Sequence, residues 1–127
     1  MVAARAAERL FAASLVCASA TAAAVEATGL GTPTYVITGR FPDKPDGGED
    51  DLVTAQLIER ARTGRPLQAE ATAEAVVGSR EPFRTRALGD EHMHPDDFAY
   101  ATAVDRFDFA MEVERVDGGL CIRRTGR

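Results

Sequence analysis

The chain has 127 residues and a formal net charge of -5, from 15 Lys and Arg against 20 Asp and Glu. This length fits one domain, spanning residues 1–127, and a folded chain of this size buries roughly two thirds of its surface. The acidic balance, the lack of Trp and the absence of a basic run interleaved with aromatic residues argue against nucleic acid as a partner.

The two cysteines and the hydropathy pattern bear on the cellular compartment. Cys17 and Cys121 are far apart in sequence and lack metal-ligand spacing, so we interpret both as buried reduced thiols of a cytoplasmic protein. The chain has no apolar run of about eighteen residues, the shortest that spans a bilayer, and we expect no membrane partner.

The N-terminal third predicts a strand, a helix and a second strand. Residues 9–14 predict a short strand that enters a helix of small residues from Cys17 to Thr28, ended by Gly29. The β-branched run Thr34 to Thr38, which follows Pro33, predicts a buried strand.

The same N-terminal region has an alternative interpretation. Arg5 and Arg9 precede the small, apolar run Leu10 to Val25, which contains Ala-x-Ala patterns such as Ala18-Ser19-Ala20. A secretory signal has this organisation. The chain would then be a small secreted binding or structural domain, a function of a different class from an enzyme.

The middle of the chain predicts a ligand loop followed by helices. Residues 39–48 are rich in Pro and Gly and predict an irregular loop where ligands enter. Apolar periodicity predicts helices over 50–62 and 68–77, and His94-Pro95-Asp96-Asp97 predicts the start of a helix that ends near Ala103. Residues 78–91 give no clear assignment.

The C-terminal segment predicts an antiparallel hairpin. Phe107, Phe109, Met111 and Val113 alternate with polar residues and predict the core-facing side of a strand. Asp117-Gly118-Gly119 predicts the turn, and the second strand returns through 120–122. Strand and helix alternation ahead of this hairpin favours an α/β fold, a three-layer α/β/α arrangement with a mixed sheet.

The acidic cluster Glu49-Asp50-Asp51 is the most informative candidate site. It follows a predicted buried strand and a Gly-rich loop, and it opens a helix. Two carboxylates with waters and a substrate phosphate suit Mg²⁺. Helix capping is the alternative, since acidic residues are favoured in any first helical turn.

Three further groups carry possible chemistry. Ser14, at a strand-to-helix turn, could cap the helix or contact an anion, and Arg40 follows the second strand where a cation could meet a phosphate or sulfonate. His92 and His94 form a His-x-His pair that could bind a transition metal, but no third ligand is set at a recognisable spacing. A solvated loop with a capping role is the preferred interpretation of the histidines.

In this order the segments resemble the C-terminal half of the 2-phosphosulfolactate phosphatase family. Residues 12–18 resemble the family's strand and its Ser-x-x-Asn-Ala turn, with Cys17 in place of Asn. Residues 36–39 and then Asp50-Asp51-Leu52-Val53-Thr54-Ala55 resemble its strand and its Glu-Asp-x-x-Cys-Ala helix start, with Asp50 in place of Glu. Residues 94–97 and 105–111 resemble its last helix and strand.

The resemblance implies Mg²⁺-dependent hydrolysis of an acidic phosphate monoester. The type reaction, in coenzyme M biosynthesis, converts 2-phospho-3-sulfolactate to 3-sulfolactate and phosphate. Asp50 and Asp51 would hold Mg²⁺, Ser14 and Arg40 would contact the anionic substrate, and no catalytic residue is assigned. The family's N-terminal Asp-x-x-Arg-Ala-Thr/Ser-Thr motif has no counterpart here, so we expect a truncated product, half of a larger domain. It would self-associate or require the missing N-terminal half.

Overall fold

A computed structural model describes residues 6–41, 43, 47–89, 91–94 and 96–126 of the chain. Arg5, the prolines at 42 and 45 and Pro95, all used in the sequence predictions, lie outside these ranges. The described part contains no helix with the length and apolar character needed to cross a membrane. The elements, in chain order, are β1 (Phe11–Ala12), a 3₁₀ turn (Leu15–Cys17), α1 (Ala18–Ala27), α2 (Glu49–Arg62), α3 (Ala69–Gly78), α4 (Arg80–Arg86), α5 (Asp97–Ala101), β2 (Phe109–Val116) and β3 (Gly119–Gly126).

The strands form a three-stranded antiparallel sheet in the order β1-β2-β3. The predicted C-terminal hairpin is confirmed: Val113 pairs with Ile122, and Val116 pairs with Gly119 across a turn in which Gly118 has a φ of 89°. β1 pairs antiparallel with β2, with Phe11 opposite Glu112. The described sheet is therefore antiparallel throughout, where the sequence pattern predicts a mixed one.

The helices stack on this sheet in sequence order, so the fold is mixed α and β. α1 packs against β2 and β3, α2 packs along α1, and α3 packs against α2. Small side chains on α1 let the helices approach closely, and the core lies where α1 meets α2. Its buried members are Leu15, Ala18, Ala22, Leu57 and Ile58. β1, the 3₁₀ turn and α1, which a secretory signal would remove, thus supply part of the sheet and three of these core residues.

The predicted strand at residues 34–38 is wrong in one respect: it belongs to no sheet among the described residues. The segment still has the side-chain alternation of a strand, since Tyr35 and Ile37 are half-buried and their neighbours are exposed. Val36 is 70% exposed. A strand needs a hydrogen-bonded neighbour, and the local β-propensity that predicts the strand does not supply one.

The predicted core face of β2 is also only partly buried. Val113 is buried, whereas Phe107, Phe109 and Met111 are half-buried. Ala110, on the opposite face, is 2% exposed. The aromatic rings stack on one another, with the Phe107 and Phe109 centroids 5.3 Å apart, and arginines cover them: the Arg124 guanidinium lies 4.5 Å from the Phe109 ring centre.

The helix predictions hold with small shifts of their ends. α2 and α3 begin within one residue of the predicted positions, and α5 is shorter than predicted. α4 lies in the segment that the sequence leaves unassigned, where Gly78 and Pro82 interrupt the apolar pattern. Both cysteines are free; Cys17 is buried as expected, but Cys121 is only partly buried.

Candidate functional site

The first turn of α2 carries the acidic cluster. Glu49, Asp50 and Asp51 all lie in this turn, and Gly48 caps it with a left-handed φ of 68°. The free N–H groups of a helix N-terminus favour negative charge, so the helix stabilises the cluster electrostatically. Arg60 and Arg62 occupy the last turn, where positive charge is favoured.

The three carboxylates have different partners. Asp51 Oδ2 accepts a hydrogen bond of 2.8 Å from the Thr38 amide and a second one from the Thr38 hydroxyl. Glu49 accepts a long bond of 3.4 Å from the Arg80 amide and so faces α4. Among the described residues, none donates a hydrogen bond to the Asp50 carboxylate or to Asp51 Oδ1. One oxygen of Asp51 and both oxygens of Asp50 can therefore accept a ligand.

Glycines hold the two ends of the 39–48 loop together. A Cβ on Gly47 would lie 1.9 Å from the Gly39 carbonyl oxygen, and one on Gly48 would lie 2.2 Å from the Thr38 carbonyl oxygen. These distances exclude any side chain, so the backbones at the two ends of the loop are in direct contact. We call this contact, formed by residues 38–39 and 47–48, the loop neck.

Arg40 is attached to the same neck. Its Nε donates a hydrogen bond of 3.3 Å to the Gly47 carbonyl, and its side chain is exposed. Of the four predicted site residues, Asp51 and Arg40 are thus both attached to the loop neck, and Asp50 lies beside Asp51 in the first turn of α2. Two carboxylates can bind a metal ion, and an arginine near them can bind an anion.

Ser14 is the fourth predicted site residue. Within the described residues no hydrogen bond or ion pair joins it to Arg40, Asp50 or Asp51. Its side chain makes no capping hydrogen bond, so the predicted helix-capping role is wrong. Its carbonyl accepts a bond of 3.3 Å from the Cys17 amide and closes the 3₁₀ turn.

Asp105, which the sequence analysis did not single out as a site residue, takes the capping role. Its carboxylate accepts bonds of 2.7 Å from the Ser19 amide and 2.6 Å from the Ser19 hydroxyl, at the start of α1. Its φ of 55° is left-handed, a conformation that Asp tolerates better than most residues. The contact spans 86 positions, and no local pattern signals it.

A hydrogen-bonded network fixes the 34–38 segment to α2. The Tyr35 hydroxyl donates to Glu59 at 2.9 Å, and Arg62 forms a two-pronged ion pair with Glu59 and a third bond to Glu26 of α1. Burial, followed by the Glu59 contact, raises the pKa of Tyr35 from 10.0 to about 12. The hydrogen bonds that Arg62 donates lower the pKa of Glu59, and their acceptance by the Glu59 and Glu26 carboxylates raises the pKa of Arg62.

The histidines form a surface loop. The Asp97 carboxylate accepts a bond of 2.8 Å from the His94 amide, and His92 lies 3.4 Å from the Glu91 carboxylate. Both imidazoles are exposed. Within the described residues no group of three or more His, Cys, Asp or Glu side chains is gathered closely enough to enclose a metal ion. The exposure of both imidazoles fits the solvated loop preferred from the sequence.

Two shallow surface depressions lie away from the loop neck. One, between α2 and α3, is lined by Gln56, Arg60 and Thr72; the other, between α1 and the end of α2, is lined by Ala22, Arg62 and Leu67. Neither contains a side chain of the acidic cluster. We place the candidate site at the loop neck because Asp51 and Arg40 are both hydrogen-bonded to it.

The chain matches no protein-family model, no curated protein and no solved structure.

Proposed function

We propose that this chain forms the metal-binding half of a Mg²⁺-dependent phosphatase similar to the 2-phosphosulfolactate phosphatases. Its substrate would be an acidic phosphate monoester such as 2-phospho-3-sulfolactate, and its compartment the cytoplasm. The observation that carries the proposal is that Asp51 and Arg40 are both hydrogen-bonded to the loop neck, Asp51 to Thr38 and Arg40 to the Gly47 carbonyl, with Asp50 next to Asp51 in the first turn of α2. The order of motifs along the sequence is the second support.

The donor set suits Mg²⁺ better than a transition metal. Mg²⁺ is commonly held by one or two carboxylates and completes its octahedron with water and substrate phosphate. Asp50 and Asp51 supply that number, and the Thr38 hydrogen bonds orient the Asp51 carboxylate as outer-shell partners orient metal ligands. When bound, Mg²⁺ would neutralise charge on the phosphoryl oxygens.

Residues of the chain itself would also contact the substrate. Arg40, held by the Gly47 carbonyl, would direct its guanidinium N–H groups at the phosphate or sulfonate of the substrate. Ser14 would supply a further anion contact, as the resemblance implies. The leading aspartate and the main phosphate-binding arginine would come from the missing half, as the resemblance also implies.

The three-layer α/β/α arrangement with a mixed sheet belongs to the same proposal. Residues 34–38 have the side-chain alternation of a strand but no strand neighbour among the described residues. Additional strands from a missing half would complete a larger sheet beside them. We favour this proposal over the secreted domain because the signal interpretation removes Leu15, Ala18 and Ala22 from the core.

A reconstitution assay tests the function. Phosphate release from racemic 2-phospho-3-sulfolactate with Mg²⁺ is measured for the chain alone and after mixing with the N-terminal half of a full-length family member. We expect little turnover alone and clear turnover in the mixture, reduced about a hundredfold by Asp50→Asn. Asp117→Asn, in the hairpin turn, is the matched control and should leave turnover unchanged. No release from the mixture, or equal release with Asp50→Asn, contradicts the proposal.

A further inference from the structure

Residues 34–38 form a surface segment whose side chains alternate as in a strand. Exposure alternates along the segment: Thr34, Val36 and Thr38 are exposed, and Tyr35 and Ile37 are half-buried. This is the period of two expected for a strand lying on a core. Pro33 precedes the segment and Gly39, with a φ of 77°, follows it, so its length is limited to these five residues.

The inner side of the segment is already fixed in place. Tyr35 is tied to Glu59 through its hydroxyl, and Ile37 Cγ2 lies against Gly48 so closely that a Cβ there would come within 2.8 Å of it. The Thr38 amide is used by Asp51. A segment held this firmly loses little further entropy when a neighbouring strand pairs with it.

The backbone groups of the opposite edge have no partner within the described residues. In a strand, alternate residues direct their N–H and C=O groups to opposite edges. The Thr38 amide, engaged by Asp51, belongs to one edge, together with those of Thr34 and Val36. No described residue bonds to the N–H or C=O groups of Tyr35 or Ile37, which belong to the other edge.

The sequence of the segment is complementary to itself when two copies run antiparallel. With Val36 opposite Val36 of the second copy, Thr34 lies opposite Thr38 and Tyr35 lies opposite Ile37. Thr with Thr, aromatic with β-branched and Val with Val are all favourable cross-strand pairs. The segment has no charged residue, so no like charges meet.

We propose that the chain forms a two-fold symmetric dimer in which the 34–38 segments of two copies pair antiparallel about Val36. Tyr35 and Ile37 of facing copies exchange backbone hydrogen bonds, and the Val36 side chains meet as a non-hydrogen-bonded pair. The two edges of the described sheet are poorer candidates: β1 has only two residues, and β3 carries Arg123 and Arg124, charged residues that discourage edge pairing. The dimer does not depend on the phosphatase proposal, and strands of a missing half would compete with the second copy for this edge.

Cysteine cross-linking tests the pairing directly. In the proposed register the two Val36 Cβ atoms lie about 5 Å apart, close to the separation in a disulfide. In a Cys121→Ser background, Val36→Cys should cross-link to a disulfide dimer under mild oxidation. Ile122→Cys, 55% exposed on β3, is the matched control and should stay monomeric. Equal cross-linking of the two variants, or none at Val36→Cys, overturns the proposal.

The mass in solution gives an independent result. At high concentration, light scattering should give twice the 13.6 kDa mass of one chain, and dilution should return it to 13.6 kDa. Val36→Lys, which places two ammonium groups opposite each other, should remain at 13.6 kDa with an unchanged circular dichroism spectrum, as expected for a folded variant. A wild type that stays monomeric, or a Val36→Lys variant that dimerises equally well, contradicts the pairing.

Discussion

Asp105 connects the C-terminal segment to the start of α1 and offers a sharp test of the fold. Its carboxylate accepts two hydrogen bonds from Ser19, of 2.7 and 2.6 Å, and its own amide donates at 3.1 Å to the Leu15 carbonyl. The residue therefore satisfies a helix N-terminus and also joins residues distant in sequence. Asp105→Ala removes the carboxylate and places Ala at a φ of 55°.

The expected cost has two parts. Loss of a helix cap costs about 1 kcal/mol, and solvent exposure of this pair keeps the value near that figure. Ala in the left-handed region costs about another 1 kcal/mol relative to Asp. We therefore expect Asp105→Ala to lower the free energy of unfolding by about 2 kcal/mol. Asp105→Asn, which tolerates the backbone and keeps one acceptor, should lose about half as much.

Urea unfolding followed by circular dichroism measures these changes. Ser19→Ala and the double variant with Asp105→Ala complete a double-mutant cycle. Since both side chains serve one contact, the two losses should add to more than the loss in the double variant. A loss below about 0.5 kcal/mol for Asp105→Ala, the range of ordinary surface substitutions, would refute the capping contact.

Three further predictions concern the segments around the site. Burial raises the pKa of Tyr35 from 10.0 to about 12, so its stabilising contribution is complete below pH 10 and is lost as the pH rises to 12. Tyr35→Phe should therefore make the free energy of unfolding less dependent on pH between 10 and 12. The same pH dependence in the variant and the wild type would count against the contact. Gly48→Ala should lower the free energy of unfolding by about 3 kcal/mol, because the new Cβ meets backbone atoms and φ is positive. Gly29→Ala, with a similar φ but open space around it, should lower it by about 1 kcal/mol. Equal losses of stability in thermal unfolding would disprove the close approach at the neck. Phe109→Ala should cost about 2 kcal/mol, less than for a fully buried aromatic, since the ring is half-buried under Arg124; a urea-unfolding loss well under 1 would place that face in solvent.

Features set by neighbouring residues could be predicted from the sequence. The apolar rows of α2 and the strict alternation of β2, followed by Asp117-Gly118-Gly119, determine a helix and a hairpin through contacts of short sequence separation. The loop neck could be anticipated only in part. Glycines signalled a turn, but the contact of Gly48 with Thr38 depends on tertiary structure.

Other features depend on partners that no local pattern specifies. Residues 34–38 have the composition of a strand, yet membership of a sheet depends on an available neighbour. Ser14 occupies a reasonable capping position, but Asp105 takes the helix terminus across 86 positions. The sequence indicates the acidic cluster but not the partners of its members. Asp51 binds Thr38, Glu49 binds Arg80, and the Asp50 carboxylate has no described partner.

Metal binding at the loop neck tests the central claim most directly. Binding of Mn²⁺, a spectroscopic substitute for Mg²⁺, is followed by the loss of the free-ion electron paramagnetic resonance signal. Asp50→Asn is the sharpest variant, because the Asp50 carboxylate supports no described contact. Asp51→Asn also changes the group that accepts the Thr38 bonds, and Asp117→Asn is the control. We predict weak binding by the wild type, unchanged by Asp117→Asn and weakened about tenfold or more by Asp50→Asn and Asp51→Asn. Equal Mn²⁺ uptake by the wild type and by Asp50→Asn would contradict the account.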